Sequence, residues 1–286
     1  MARIPVVTRA MVKGMTTQEQ PDLHSETFGD GRPLVLVHGL GSSWITWAPV
    51  LATLARTRRI VAIDLPGHGE SAPLGGEVTV DTIADAIERF LRRNGLETAD
   101  LVGSSLGARL VLELARRGIG GHVVALDPGG FWTLAERAVF AATVGASVRL
   151  VRFLQPWLRG ITASGIGRRI LLFQFSARAG QLDAALVLSE LRSYAASTGL
   201  DATLKALTRG ANQVGAAVTP GRVAIGWGTR DRVTVPAQAE RAQWKFAGSS
   251  LHWFDGSGHF PHWDQPDATA RFILANTGLI ETSPAE

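Results

Sequence analysis

The sequence predicts an α/β fold with a mostly parallel central sheet flanked by helices. Short apolar runs rich in Val, Ile and Leu alternate with amphipathic helical stretches, the pattern of a parallel sheet that helices cover on both faces. The 286 residues, 45% of them hydrophobic, are enough to bury a substantial core. The chain has no cysteine, so disulfides, thiolate nucleophiles and Cys-based zinc sites are excluded.

Six apolar runs are predicted to be strands, because each is short and followed by turn-forming residues. They are residues 34–37, 60–63, 101–102, 123–126, 223–225 and 251–254. Their Val, Ile and Leu content favours strands that are buried on both faces.

Three stretches between the first strands show the periodicity of amphipathic helices. They are residues 44–56, 80–93 and 106–117. Ser43 and Thr79 precede the first two as candidate N-caps, and Gly95 and Gly118 follow the second and third as C-terminal stops. We expect these helices to connect the parallel strands across the faces of the sheet.

Residues 131–217 break the alternation, since they are helical in character and carry no strand signal. A structureless loop of this length would be unusual in a compact fold, so we expect a helical cap, or lid, over the sheet. Residues 22–130 and 218–286 then form the core, and residues 1–21 an irregular N-terminal segment.

The charge pattern and the apolar segments bear on partners and location. The net charge of +4 comes from scattered basic residues without interleaved aromatic residues, so we expect no nucleic acid partner. The first twenty residues lack the apolar region of a signal peptide. The apolar stretch 138–148 stops at Arg149, short of the roughly 18 residues of a membrane span. We expect a cytoplasmic protein without stable membrane insertion.

Gly103-Ser104-Ser105-Leu106-Gly107 has the pattern Gly-x-Ser-x-Gly between a predicted strand and a predicted helix. A sharp turn there would hold the Ser105 hydroxyl exposed above the sheet, and the two glycines would leave space for adjacent backbone. The helix N-terminus would offer the N–H of Leu106 to an oxygen that becomes charged during attack. Ser105 is the predicted nucleophile.

A serine nucleophile needs a base, which is usually a histidine oriented by a carboxylate. Asp231 follows the strand 223–225 and His259 follows the strand 251–254. Both therefore lie beyond the carboxyl ends of strands, where open α/β sheets bind their ligands. His259 is the predicted base and Asp231 the predicted acid. Asp127, which ends the strand before the lid, remains an alternative acid.

Four segments together resemble the α/β-hydrolase family, of the serine hydrolase or esterase type with a helical lid. They are His38-Gly39-Leu40-Gly41, Asp64-Leu65-Pro66-Gly67-His68-Gly69, the Ser105 turn and Gly258-His259-Phe260-Pro261-His262. The resemblance covers most of the chain outside the lid and implies the α/β-hydrolase fold, with the cap inserted after the sixth strand. It also implies that the backbone N–H groups of Leu40 and Leu106 form the oxyanion hole.

The sequence departs from the family's common wording at Ser104, before the nucleophile, and at Ala108. Neither departure touches the chemistry, and Ser104 would alter the pocket wall. Ser104, Trp132 at the start of the lid and Phe260 beside the predicted base are the expected substrate-binding residues. No metal or cofactor is expected, because His259 and His262 lack the glutamate and the helix of a zinc motif.

The predicted function is hydrolysis of a small carboxylic ester through an acyl-enzyme. Aromatic residues of the lid, among them Phe140, Phe153, Trp157, Phe173 and Phe175, predict an apolar chamber and hence a hydrophobic acyl or aromatic group.

Two other functions remain open. A carbon–carbon bond hydrolase of the meta-cleavage product type would keep the same triad. Trp263 resembles a tryptophan of those enzymes, whereas Ser104 stands where they carry asparagine. A catalytically inactive ligand-binding relative would keep the fold without the reaction, since a fold does not fix a function.

Overall fold

A seven-stranded sheet runs through residues 22–278, the part of the chain that the computed structural model describes. Its strands are β1 (Ser25–Phe28), β2 (Arg32–Val37), β3 (Arg58–Ile63), β4 (Asp100–Ser104), β5 (Val123–Leu126), β6 (Val223–Gly228) and β7 (Ser250–Phe254). In space they follow the order β1-β3-β2-β4-β5-β6-β7. Strand β1 is antiparallel to β3 and the other neighbours are parallel, which confirms the predicted sheet. The predicted N-terminal segment 1–21 lies outside the described residues.

The helices lie on both faces of this sheet and above it. They are α1 (Ala48–Leu54), α2 (Val80–Arg93), α3 (Leu106–Arg116), α4 (Leu134–Phe153), α5 (Leu158–Ala163), α6 (Gly165–Leu171), α7 (Ala184–Ala196), α8 (Leu200–Arg209), α9 (Ala237–Lys245), α10 (Pro261–Asp264) and α11 (Pro266–Thr277). Both predicted N-caps are confirmed. The Ser43 hydroxyl accepts the N–H of Ile45, and Thr79 and Thr82 form a reciprocal capping box.

All six predicted strands are present, and only β1 was not anticipated. Its sequence, Ser-Glu-Thr-Phe, is polar and lies partly exposed at the edge of the sheet. An edge strand buries few of its side chains, so its sequence need not contain a continuous apolar run that would identify it as a strand. Its pairing with β3 is the reason it forms.

Strand β2 illustrates how the sheet contributes side chains to two separate hydrophobic cores, one on each face. Successive side chains of a strand point to opposite faces. Val35 and Val37 accordingly join the core under α2 and α3, whereas Leu34 and Leu36 join the core under α1 and α11. Because both faces are covered, every one of these four side chains is fully buried.

Helices α4 to α8, here called the cap, all lie between β5 and β6. Within residues 22–278 the cap therefore follows the fifth strand, whereas we expected its insertion after the sixth. It has an apolar cluster of its own, which includes Val151, Leu158 and Val187 and which packs on Trp263 of the core. That the cap acts as a lid stays a prediction.

Among the described helices, none is by itself long and apolar enough to cross a membrane. Helix α4 and the stretch Gln155–Ala163 pass the length and composition test only together, and they are bent by 63° at their junction.

Candidate active site

Ser105 occupies a sharp turn between β4 and α3, with φ 56° and ψ −113°. This left-handed conformation is costly for a residue with a Cβ atom, by about 1–3 kcal/mol, and such strain is concentrated at functional sites. A Cβ at Gly103 would collide with the carbonyl group of Gly107, and one at Gly107 would collide with the carbonyl oxygen of Val37. The two glycines are therefore required for the turn to approach its neighbours so closely.

His259 connects Ser105 to Asp231. Its Nε2 atom lies 2.8 Å from Ser105 Oγ and its Nδ1 atom lies 2.8 Å from Asp231 Oδ2. Because the Asp231 carboxylate accepts a hydrogen bond, Nδ1 carries the proton and the lone pair of Nε2 faces the serine hydroxyl. The backbone N–H of His259 donates to the carbonyl oxygen of Phe175 at 2.8 Å, so the cap helps to hold this loop.

Asp231 is held by donors from its own loop. Its Oδ1 accepts the backbone N–H groups of Val233 and Thr234 at 2.7 and 3.1 Å, and its Oδ2 accepts the Thr234 hydroxyl at 2.6 Å. With the imidazole N–H, these donors suit an ionised carboxylate and fix its orientation towards His259.

Asp127, the alternative acid, is fully buried beside Asp231. Its Oδ1 accepts the backbone N–H of Gly228 at 2.8 Å, and its Oδ2 has no hydrogen-bond partner among the described residues. Burial, followed by the nearby Asp231 carboxylate, raises the pKa of Asp127 well above its ordinary value. Asp127 is therefore poorly suited to be the charged partner of His259; it supports β6, and the imidazole bonds to Asp231 instead.

Asp127, Asp231 and His259 place one potential metal-ligand atom each within 4.8 Å of one another. A metal ion there would compete for the Nδ1 atom of His259, which already bonds to Asp231. His262, the other histidine of this segment, lies away from this group, and its Nε2 is 3.3 Å from the Thr46 hydroxyl. Burial lowers the pKa of His262 to about 3. The arrangement fits an oriented imidazole better than a metal centre.

The backbone N–H groups of Leu40 and Leu106 have no hydrogen-bond partner within residues 22–278. Leu106 begins α3, where the first N–H groups of a helix are unsatisfied. The loop that carries Leu40 lies against the nucleophile, since a Cβ at Gly39 would be 3.2 Å from Ser105 Cβ. Unpaired backbone donors beside the nucleophile are one requirement of an oxyanion hole, and the assignment of Leu40 and Leu106 to it stays a prediction.

His38 holds this loop in place. Its Nδ1–H donates to the carbonyl oxygen of Gly39 at 2.7 Å, and its Nε2 accepts the backbone N–H of Leu65 at 2.9 Å. This pair of bonds requires the neutral imidazole, and burial lowers the pKa of His38 accordingly. His38 thus positions the backbone of this loop and lies outside the chain of contacts from Asp231 to Ser105.

A cavity of about 30 Å³ adjoins the nucleophile. Its lining comes from the core and the cap: Leu40, Ser105, Phe140, Val144, Phe175, Tyr194, Leu207, Val233, His259 and Phe260. Phe260 thus lines the cavity beside Ser105, and its role in substrate binding stays a prediction.

Ser104 and Trp132, the other two expected substrate-binding residues, are not among the side chains that line this cavity. Ser104 is buried in the end of β4, and Trp132 packs behind Phe140 with ring centroids 4.9 Å apart. Neither side chain reaches this cavity, and a role of either one in substrate binding stays a prediction. A residue next to the nucleophile in sequence points away from it in a strand.

The aromatic residues of the cap divide into two groups. Phe140 and Phe175 line the cavity, whereas Phe153, Trp157 and Phe173 are exposed on the surface. The sequence could not separate them, because the cap helices have weak apolar periodicity. Tyr194 and Leu207 line the cavity and were not anticipated.

Comparison with known proteins places this geometry in a family. A family model described as the alpha/beta hydrolase family matches residues 34–272. An uncharacterized protein of Mycobacterium tuberculosis is 28% identical over 284 residues, which cover 90% of this chain and 78% of that protein.

Solved structures share the fold at lower identity. An esterase from Exiguobacterium antarcticum has a TM-score of 0.71 at 17% identity, covering 88% of this chain and 94% of its own. A meta-cleavage product hydrolase from Pseudomonas fluorescens has a TM-score of 0.67 at 21% identity, covering 88% and 93%. The fold, the strained serine and the match over most of the chain lead to one conclusion: the chain belongs to the alpha/beta hydrolase family.

Proposed function

We propose that this hydrolase cleaves a carboxylic ester with Ser105 as nucleophile, His259 as base and Asp231 as orienting acid. The observation that carries the proposal is the continuous chain of contacts from Asp231 Oδ2 through both imidazole nitrogens to Ser105 Oγ, each 2.8 Å long. A serine hydroxyl is a weak nucleophile until such a base removes its proton.

The reaction would proceed in two steps. Ser105 Oγ attacks the ester carbonyl carbon while His259 Nε2 takes the hydroxyl proton, and the carbonyl oxygen becomes an oxyanion that the N–H groups of Leu40 and Leu106 stabilise. The bond between the carbonyl carbon and the alcohol oxygen then breaks as the imidazolium of His259 gives its proton to the departing alcohol oxygen. Water, deprotonated by His259, then attacks the acyl carbon; the bond to Ser105 Oγ breaks as the imidazolium returns the proton to the serine, and the acid is released.

The pocket supports an apolar substrate arm. Phe140, Val144 and Leu207 face the nucleophile from the cap, and Val233 and Phe260 face it from the core. Such a lining favours a hydrophobic acyl or aromatic group. A polar group would lose its hydrogen bonds to water and find few polar atoms in the pocket to replace them.

Carbon–carbon bond cleavage of a meta-cleavage product is the second candidate, since a solved hydrolase of that type shares the fold. Trp263, which resembles a tryptophan of those enzymes, donates its indole N–H to the backbone and hydroxyl oxygens of Thr46 at 3.0 and 3.1 Å. Its indole N–H is thus already engaged within the core.

A fluorophosphonate probe, followed by p-nitrophenyl esters from acetate to octanoate, tests the proposal. The wild type should be labelled and should hydrolyse the esters, whereas Ser105→Ala should lose labelling and on the order of 10⁶-fold in kcat. Ser104→Ala is the matched control and should keep both. An unlabelled, inactive wild type would refute the serine hydrolase. A labelled enzyme that turns over only a meta-cleavage dienoate would select the second candidate.

A further inference from the structure

A second cavity, of about 50 Å³, adjoins the one at the nucleophile. The two share four side chains in their walls, Leu40, Phe175, Tyr194 and Phe260. Beyond this shared wall the second cavity is lined mainly by aliphatic residues of the cap, together with Ser42, Glu190 and Trp263. A substrate arm that passes the shared wall from Ser105 would enter this space.

Glu190 is the feature of this cavity that packing does not explain. It lies on α7 with only 6% of its surface exposed, and its Oε2 is 2.6 Å from the hydroxyl oxygen of Ser42. Its Oε1 is buried and has no hydrogen-bond partner among residues 22–278. An acidic side chain is almost never buried without a partner, because the unsatisfied oxygen costs free energy.

The other polar groups in this wall already have partners. The hydroxyl of Tyr194 bonds with that of Ser147 at 3.1 Å, and the indole N–H of Trp263 donates to Thr46. Among the side-chain atoms of this lining, Glu190 Oε1 is therefore the polar atom that is left for a ligand.

The surroundings of Glu190 make Oε1 a hydrogen-bond acceptor in either ionisation state. Burial raises the pKa of Glu190 to about 8, so the side chain is mostly neutral at pH 7. In a neutral side chain that carries its proton on Oε2, this proton is donated to Ser42 Oγ, whose own hydroxyl then reaches the Ser43 carbonyl oxygen at 3.3 Å. When ionised, Oε2 accepts the Ser42 hydroxyl instead. Oε1 presents lone pairs in both cases.

We infer that the second cavity is a subsite for one arm of the ester substrate, and that Glu190 Oε1 accepts a hydrogen bond from a hydroxyl or ammonium group on that arm. The inference rests on the proposed ester hydrolysis at Ser105. A carboxylate on the same arm is rejected, because it brings no donor and places its charge against the lone pairs of a buried carboxyl group.

Ser42 links this selection to the reaction site. It lies two residues after Leu40, whose N–H is assigned to the oxyanion hole, and its hydroxyl bonds to Glu190. A ligand that donates a hydrogen bond to Glu190 Oε1 would also hold α7 against the loop that carries Leu40. Part of the hydroxyl preference should therefore appear in kcat as well as in KM.

The test compares esters that differ only at the far end of one arm. Matched series end in methyl, hydroxyl, ammonium or carboxylate at increasing chain length, with the end group on the acyl arm in one set and on the alcohol arm in the other. At the best length on one arm, the wild type should favour hydroxyl over methyl by about tenfold in kcat/KM. The carboxylate ester should be the poorest substrate of the series.

Two variants of Glu190 separate a binding role from a structural one. Glu190→Leu should favour methyl over hydroxyl, since the acceptor is gone. Glu190→Gln keeps an acceptor carbonyl, so it should retain the preference for hydroxyl over methyl. Any preference of the wild type for ammonium over hydroxyl should fall at least tenfold in this variant. Asp201→Asn, an exposed cap carboxylate on α8, is the matched control and should leave every ratio unchanged.

The outcomes distinguish this inference from the proposed function. If the wild type hydrolyses methyl-ended esters but shows no hydroxyl preference at any length on either arm, the subsite is wrong and the ester hydrolase stands. A hydroxyl preference that survives in folded Glu190→Leu would also refute it. Should Glu190→Leu fail to fold, the ammonium ratio of Glu190→Gln decides. Absence of labelling at Ser105 would refute the proposed function itself.

Discussion

The Oδ2 atom of Asp231 lies 2.8 Å from the Nδ1 atom of His259. This contact fixes the tautomer of the imidazole and turns its Nε2 lone pair towards Ser105. A second carboxyl group, that of Asp127, is buried close by, and burial together with the nearby Asp231 raises its pKa. The two neighbouring acids thus differ in their contacts, because Asp231 accepts the imidazole N–H of His259 and Asp127 accepts the backbone N–H of Gly228.

Asp231→Asn and Asp127→Asn should therefore have unequal effects on ester hydrolysis. Asp231→Asn removes the acceptor that sets the tautomer, and we expect kcat to fall by about 10⁴-fold. Asp127→Asn preserves the shape and the oxygen that accepts the N–H of Gly228, so kcat should fall less than tenfold. Steady-state kinetics on one p-nitrophenyl ester measure both. A larger loss in Asp127→Asn would move the acid assignment to Asp127.

Gly107→Ala should destabilise the fold, since its Cβ would meet the backbone carbonyl oxygen of Val37 in the centre of the sheet. Backbone at that place cannot yield, and we expect a loss of about 1–3 kcal/mol or a failure to fold. Gly145→Ala in α4 is the control, because a Cβ there meets nothing within 4 Å. It should stabilise the protein by up to about 1 kcal/mol. Urea unfolding measures both, and equal stability of the two variants would contradict the close approach.

Glu190 should make stability depend on pH. Burial, with the Asp64 charge adding to it and the Ser42 hydroxyl opposing it, raises the folded pKa from 4.5 to about 8. Between these pH values the folded protein keeps a proton that the unfolded chain has lost. The stabilisation that this bound proton gives to the folded protein is therefore complete below about pH 4.5 and is lost as pH rises to about 8.

Glu190→Gln removes this titration. Relative to wild type, the variant should gain thermal stability as pH is raised from 5 to 8, and the difference should level off above that range. Melting temperatures of both proteins across this range provide the measurement. Parallel curves would show that Glu190 ionises normally.

Phe175→Ala should merge the two cavities, because the Phe175 side chain lies in the wall that they share. The preferred chain length of one substrate arm, acyl or alcohol, should increase by at least two carbons, while the backbone bond from His259 to the Phe175 carbonyl remains. Phe173→Ala is the control, since that side chain is 61% exposed. Two ester series, one of rising acyl length and one of rising alcohol length, measure the optimum, and an unchanged optimum in both series for Phe175→Ala would contradict the shared wall.

The sequence determined six of the seven strands within residues 22–278, the helices α2 and α3, and the order of Ser105, Asp231 and His259 along the chain. These follow from local rules: apolar runs, caps, and a Gly-x-Ser-x-Gly turn whose glycines have a steric cause. Strand β1 escaped because a polar edge strand is specified by its partner β3 and carries no apolar run of its own.

Tertiary structure alone decided which acid faces the imidazole and which cap residues face the nucleophile. The raised pKa of Asp127 arises from burial beside another carboxyl group, and burial is a property of the assembled core. Trp132 and Phe175 are both aromatic cap residues, yet only Phe175 lines the cavity. Glu190 and Ser42, 148 residues apart, meet at 2.6 Å only because α7 folds back over the loop after β2. No local pattern encodes such a contact, because its energy depends on both segments being buried together.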